Sequence, residues 1–277
     1  MPFAATEEQP KDWAEFLCLL DDLKGEWLFR GAMATWNTES SLERACRQWG
    51  VALDGMPTVE RKLLREFKRH PEVRGLVGDP DDDLEWFAIM QHYGAPTRLL
   101  DWTYSPFVAL FFALSALLNK PGSHPNEDPK AAVWAIRSAW FDEMLPKRLD
   151  ASERRKLESY TEKRDGPWFR ALFVEPPRPA FVCTVNPMHL NQRLSVQQGM
   201  FLCPGDVSQT FEDNLAALGS LTDRSNARSF VIPRNMLGEW LERLHQMNVS
   251  ARSLCPGLPG YASWLKHRIP FLPDYTV

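Results

Sequence analysis

Cysteine is scarce and scattered. Cys18, Cys46, Cys183, Cys203 and Cys255 are odd in number and include no CxxC pair, so neither a disulfide framework nor a thiolate zinc site is indicated, and reduced thiols are expected. There is no HExxH, and no second His or Cys stands at ligand spacing, so no metal is expected. The phosphate-cradling and nucleophile motifs are missing as well: no GxGxxG after a strand, no P-loop and no GxSxG elbow. These absences set aside Rossmann dinucleotide binding, P-loop hydrolysis and the serine-hydrolase elbow. The longest apolar stretch, near residues 107–118, is too short to span a bilayer, and the opening MPFAATEEQP has neither a basic region nor an apolar core. A cytoplasmic protein without a membrane partner is the expectation. A formal charge of -4 argues against a DNA-coating surface, so nucleic acid is not indicated. No internal repeat, heptad run or low-complexity linker interrupts the chain.

What is present is enough apolar material for a sizeable core, 44% of 277 residues, with eleven tryptophans and twenty-two prolines. Trp13, Phe16, Leu17 and Leu20 share one face of a helix over residues 11–23. A short apolar strand, WLFRG, ends in Arg30 and Gly31, a cation beside a residue without a side chain. That pair reads as a clamp for phosphate or carboxylate, with Gly31 admitting the ligand to the backbone. Ser40 or Ser41 caps a helix through Trp49, and Thr58 caps another whose buried face is Val59, Leu63, Leu64 and Phe67. The basic face of that helix, Arg61 to Arg69, reads as solvated. Later strands are expected near residues 133, 182, 200 and 231, an exposed helix over 152–164, an irregular excursion over 166–179, a helix over 236–247 and a turn-rich end near 256–260. Short strands spaced among helices imply an α+β class with a small mixed sheet flanked by helices. One domain over residues 1–277 is the simplest division, with 40–80 as a helical insertion or subdomain.

The densest information lies in QHYGAPTRLLDWTYSPFVALFFA, residues 91–113. Leu84, Phe87, Ala88 and Gln91 recur at helical spacing behind Asp81, Asp82 and Asp83, and Gly94 supplies the stop. Pro96 holds its predecessor extended, which predicts a strand over residues 97–103. Ser105 and Pro106 then open a helix with apolar positions at 107, 110, 111, 114, 117 and 118. Polar groups inside so apolar a run need partners or a cleft, which makes Gln91, His92, Tyr93, Arg98, Asp101, Thr103 and Ser105 the first site candidates. On a packing-only reading, Arg98 and Asp101 form one buried ion pair, His92 is a hydrogen-bonded core histidine, and the Asp81–Asp83 carboxylates are solvated. Gln197 and Gln198, followed by Gly199 at the mouth of a strand, read as a second polar site, or as a turn, which uses similar residues.

These residues together resemble the FRG domain family, which takes its name from a Phe-Arg-Gly signature matched here by Phe29, Arg30 and Gly31. The QHYGAPTRLLDWT block and RLSVQQGMF at 193–201 carry the likeness, which extends over residues 12–268. Cys255 and Pro256 stand where the family has Phe-Pro. A more distant likeness is to mono-ADP-ribosyltransferases of the Arg-Ser-Glu type, in the order Arg30, then Thr103 with Ser105, then Gln197 or Gln198. That resemblance implies an ADP-ribosyltransferase-like core that binds NAD or a related nucleotide, releases nicotinamide, and transfers ADP-ribose to a macromolecular target or to water. In it Arg30 clamps the diphosphate, Thr103 and Ser105 contact the ribose, His92 and Tyr93 wall the pocket, and Arg98 with Asp101 forms the charged centre. Gln replaces the catalytic Glu, so Asp101 would have to supply the negative charge. Two other readings stand beside this one: a non-catalytic module sensing a nucleotide or protein, and a metal-dependent hydrolase or nuclease acting through Asp101 and His92.

Overall fold

The alternation in WLFRGAM sets the layers of the molecule. Leu28 and Ala32 enter one apolar cluster while Trp27, Phe29 and Met33 enter another, as the two-residue period of a strand requires. The structure, a computed structural model, describes residues 5–34, 38–119, 129–163, 167–189 and 192–268. Its strands are β1 (Thr6–Glu8), β2 (Trp27–Met33), β3 (Leu100–Thr103), β4 (Ala131–Arg137), β5 (Val182–Val185), β6 (Gly199–Pro204) and β7 (Ala227–Ile232). They form a seven-stranded sheet in the order β1-β7-β4-β2-β3-β6-β5. β1 runs parallel to β7 and every other pairing is antiparallel. The mixed α+β reading therefore holds, with one strand added: the polar TEE of β1 carries no apolar alternation and is defined by its pairing with β7.

The helices are α1 (Trp13–Asp21), α2 (Ser41–Gln48), α3 (Met56–Arg69), α4 (Asp83–His92), α5 (Pro106–Asn119), α6 (Ser138–Arg148) and α7 (Ala151–Lys163). They continue as α8 (Pro167–Phe169), α9 (Gln192–Val196), α10 (Phe211–Leu218), α11 (Leu237–Gln246), α12 (Ala251–Leu254) and α13 (Leu258–Arg268). Phe16 of α1, Leu110 and Leu114 of α5 and Trp240 of α11 cover the sheet face that carries Phe29, Val133 and Phe230. On the other face, Phe87 of α4, Phe141 of α6 and Phe211 of α10 pack against Leu28, Trp102 and Leu202. Among the described residues no helix is long and apolar enough to cross a membrane.

Four local expectations change, each for a visible reason. The strand expected over 97–103 begins at Leu100, because the backbone before it is bonded to the start of α2: Leu42 N–H donates to the Thr97 oxygen at 3.0 Å and Thr97 N–H donates to Ser41 Oγ at 3.0 Å. Of the excursion expected over 166–179, residues 167–174 are helical, from α8 into a π-turn over Arg170–Val174, and residues 175–179 are irregular as expected. Trp168, Phe169, Leu172 and Phe173 are buried there at helical spacing that the prolines of the segment obscure. Thr58 lies inside α3, which starts earlier at Met56 with Pro57 in its first turn. The chain end expected to be turn-rich forms α12, capped by Ser250, and α13. Of the loop expected over residues 120–130, residues 120–128 lie outside the described set.

Candidate functional site

β2 pairs with β4 from Trp27 through Met33, but its pairing with β3 is confined to Phe29 and Thr103. Past that pair the two strands part, and a cleft of about 340 Å³ opens between them. Arg30, Asp101, Trp102 and Thr103 line its strand walls, α5 lines it through Val108, Ala109, Phe112, Ser115 and Ala116, and Arg193 and Gln197 close it from α9 and the turn that follows. The α5 residues fall on one helical face.

Arg30 stands in the middle of β2, not at a strand end as its sequence context implies. Its Nη1 donates to the main-chain oxygen of Asp101 at 2.5 Å, so the guanidinium spans the gap in place of a ladder bond. Burial lowers its pKa, Asp101 opposes that shift and Arg44 adds to it; an arginine so placed keeps its charge. Gly31 has a different task from the expected one. A Cβ there would lie 1.7 Å from the Ala109 oxygen and 2.7 Å from the Ala113 nitrogen, so the missing side chain lets α5 press against β2.

Three buried polar atoms have no hydrogen-bond partner among the described residues and belong to lining residues of the cleft: Arg30 Nε, Trp102 Nε1 and Ser115 Oγ. Leaving such an atom unpaired costs about 1–3 kcal/mol each. Trp102 packs on the sheet face opposite α5, so Arg30 and Ser115 are the lining residues whose unpaired atoms a ligand rich in acceptors would suit.

The carboxylate of Asp101 is exposed and held from behind. Gln91 Nε2 donates to Asp101 Oδ2 at 2.8 Å. The orientation of that amide is set by Thr97, whose Oγ1 accepts from Leu99 N–H at 3.3 Å and donates to Gln91 Oε1 at 2.6 Å. Ser41 Oγ reaches the same Gln91 oxygen at 3.4 Å. The QHYGAPTRLLD spacing is thereby explained: the turn at Gly94, with φ +79, folds α4 back so that Gln91 meets both Thr97 and Asp101.

The remaining expected residues divide. Arg98 is not the partner of Asp101. It is 1% exposed and paired with Glu60 of α3, Nε to Oε1 at 2.7 Å and Nη2 to Oε2, while its Nη1 donates to the Phe173 oxygen at 2.8 Å. Burial works against its charge and Glu60 outweighs that, leaving its pKa raised. The side chain points to the interior and lies outside the cleft. Thr103 Oγ1 donates to the Gln197 oxygen at 2.7 Å and accepts from Ser105 N–H at 3.0 Å, so its proton is already used. Ser105 Oγ accepts from Val108 N–H at 3.3 Å at the start of α5 and is not among the lining residues. Gln197 Nε2 donates to the Leu254 oxygen at 2.9 Å. Gln198 has φ 46, is exposed, and takes the Tyr104 N–H on its carbonyl.

His92 is exposed, not a core histidine, because it falls at the last residue of α4 on the solvent side. Partial burial and then the charge of Arg193 lower its pKa. It lines a small annex that shares Asp101, Arg193 and Gln197 with the cleft, and its ring meets the exposed Tyr93 edge to face at 4.9 Å. Of the Asp81–Asp83 run, Asp83 is fully buried between Lys68 and Arg170, each at 2.9 Å, so it is an interior anchor and not a solvated charge. Sequence reasoning overlooked Glu60, although it lies three, four and seven residues before Leu63, Leu64 and Phe67 and so falls on their face. It also overlooked Arg193, which has no such signal. Among the described residues no three His, Cys, Asp or Glu side chains gather at metal-binding distance.

No curated protein and no solved structure matches this chain. A family model does, over residues 25–121, a stretch that runs from the turn before β2 through α5 and holds both parted strands but not Arg193 or Gln197. The model that matches this stretch is that of the FRG domain.

Proposed function

We propose that the cleft binds NAD and breaks the bond between its nicotinamide and ribose, passing ADP-ribose to a macromolecular target or to water. The observation that carries this reading is that Arg30, its guanidinium bonded to the main-chain oxygen of Asp101, and the carboxylate-bearing Asp101 both line the cleft at the parting of β2 and β3. Arg30, with Nε unpaired, is suited to a phosphate oxygen of the diphosphate. Asp101 is the carboxylate on the cleft lining, and Gln91 fixes its direction. As the C1′–N bond breaks, its electron pair goes to the nicotinamide ring and positive charge develops on the ribose, which a nearby carboxylate stabilises. The acceptor oxygen or nitrogen then bonds to C1′ and gives its proton to Asp101.

The amides at 197 and 198 do not enter this scheme as catalysts. Gln197 is committed to Leu254 and Gln198 faces solvent. That same substitution of amide for acid favours a second reading, a nucleotide-sensing module in which the residues bind without turnover. The two separate cleanly by thermal melting and nicotinamide release measured on one preparation with NAD. Stabilisation with release supports the enzyme, and stabilisation without release supports the sensor. Arg30→Ala is expected to abolish the stabilisation in either case. Five free thiols fit a reducing compartment, and we place the protein in the cytoplasm.

A further inference from the structure

Arg193 is the cation of the cleft that the protein itself leaves without an assignment. It is half-buried, lines both the main cleft and the annex beside it, and its side chain makes no hydrogen bond or ion pair among the described residues, although its main-chain oxygen accepts from Gln197 N–H at 3.1 Å. Most other half-buried or buried arginines are used: Arg98 by Glu60, Arg137 by Glu143 and Asn226, Arg178 by Asp206, Arg228 by Glu8. Its charge is felt in the site, since it lowers the pKa of His92 and opposes the rise that burial imposes on Cys255. Asp101 and Gln197 line the same two cavities, yet Asp101 is bonded to Gln91 and Gln197 to Leu254. A guanidinium held in a cleft without a protein partner is a fork presented to an anion.

We infer that Arg193 is a second phosphate-binding residue and that the cleft selects nucleotides carrying a diphosphate, one phosphate taken by Arg30 and the next by Arg193. This rests on the nucleotide reading of the cleft and adds to it the residue that takes the second phosphate. A nucleoside monophosphate engages one of the two arginines and leaves the other unpaired. A diphosphate engages both, and the second charge-assisted pair is worth about tenfold or more in affinity.

The test is the affinity of ADP and of AMP for the wild-type chain, Arg193→Ala and Arg193→Lys, by calorimetry. Wild type is expected to prefer ADP by about tenfold or more. Arg193→Ala should erase the preference with AMP binding unchanged, and Arg193→Lys should restore part of it. Melting temperature should change little in Arg193→Ala, because no side-chain hydrogen bond or ion pair is lost. Equal affinity of ADP and AMP in wild type, or a preference that survives in Arg193→Ala, overturns the inference while leaving nucleotide binding through Arg30 intact. Absence of binding by either nucleotide in wild type overturns the nucleotide reading and this inference together.

Discussion

Arg98 and Glu60 meet as parallel forks in the interior, 38 residues apart in the chain, with Nε to Oε1 at 2.7 Å and a second bond from Nη2 to Oε2. The pair ties α3 to the segment that leads into β3, and Arg98 Nη1 extends the tie to the Phe173 oxygen. Removing one member strands the other in an apolar interior. Glu60→Leu and Arg98→Met are each expected to cost about 3–5 kcal/mol in denaturant unfolding. The double variant Glu60→Leu with Arg98→Met should cost less than the sum, since no unpaired charge is left behind. Additive losses would show that the two side chains act independently.

Gly31 and Ala109 define a second relationship, in which the Gly of the Phe-Arg-Gly signature makes room for helix α5. Gly31→Ala forces a methyl into the Ala109 carbonyl. The expected loss is at least about 3 kcal/mol, read by thermal melting, and NAD should not rescue it. Near-wild-type stability in this variant would contradict the packing role.

Gln91 acts through Asp101 and is a positioning residue. Gln91→Leu removes the donor to Oδ2 and the acceptor for Thr97. The expected result is a fall in kcat of about tenfold to a hundredfold with KM for NAD near wild type. Thr97→Val, which frees the Gln91 amide to rotate, should give a smaller fall of the same kind. A change confined to KM would place Gln91 in binding instead.

Glu43 carries a pH dependence that can be read in stability. Burial pushes its carboxyl from 4.5 up to about 7, opposed by the hydrogen bond from Phe211 N–H and assisted by Glu39. Between those two values the folded chain holds a proton that the unfolded chain has released. The contribution to stability is therefore full below pH 4.5 and lost as pH rises toward 7. Glu43→Gln keeps an acceptor for Phe211 and should flatten this slope, leaving the variant relatively more stable than wild type at pH 8. An unchanged slope would show that Glu43 titrates normally.

Much of the fold was legible in the chain because its strands are apolar and its helices keep a 3.6-residue period. WLFRG, AAVWAI and FVCTV needed no tertiary information. TEE at β1 did, because a polar edge strand is specified by its partner. The site was legible as composition but not as wiring. Asp101 and Arg30 were evident as charges in apolar surroundings, yet their relationship depends on β2 and β3 pairing through one residue pair and then parting. Sequence spacing invited pairing Arg98 with Asp101, three residues apart. On a strand that interval puts the two side chains on opposite faces, and the chain before Leu100 turns away toward α2. Arg193 had no local signature because its significance is the absence of a partner, which only the folded surroundings reveal.

We propose above that Arg30 and Asp101 form one NAD-cleaving site. Nicotinamide release from NAD by the purified chain, beside Arg30→Ala and Asp101→Asn, tests it most directly. Wild type should release nicotinamide, Arg30→Ala should lose release through weaker NAD binding, and Asp101→Asn should lose it with NAD binding retained. Release that persists in Asp101→Asn, or no release by wild type at saturating NAD, would contradict it.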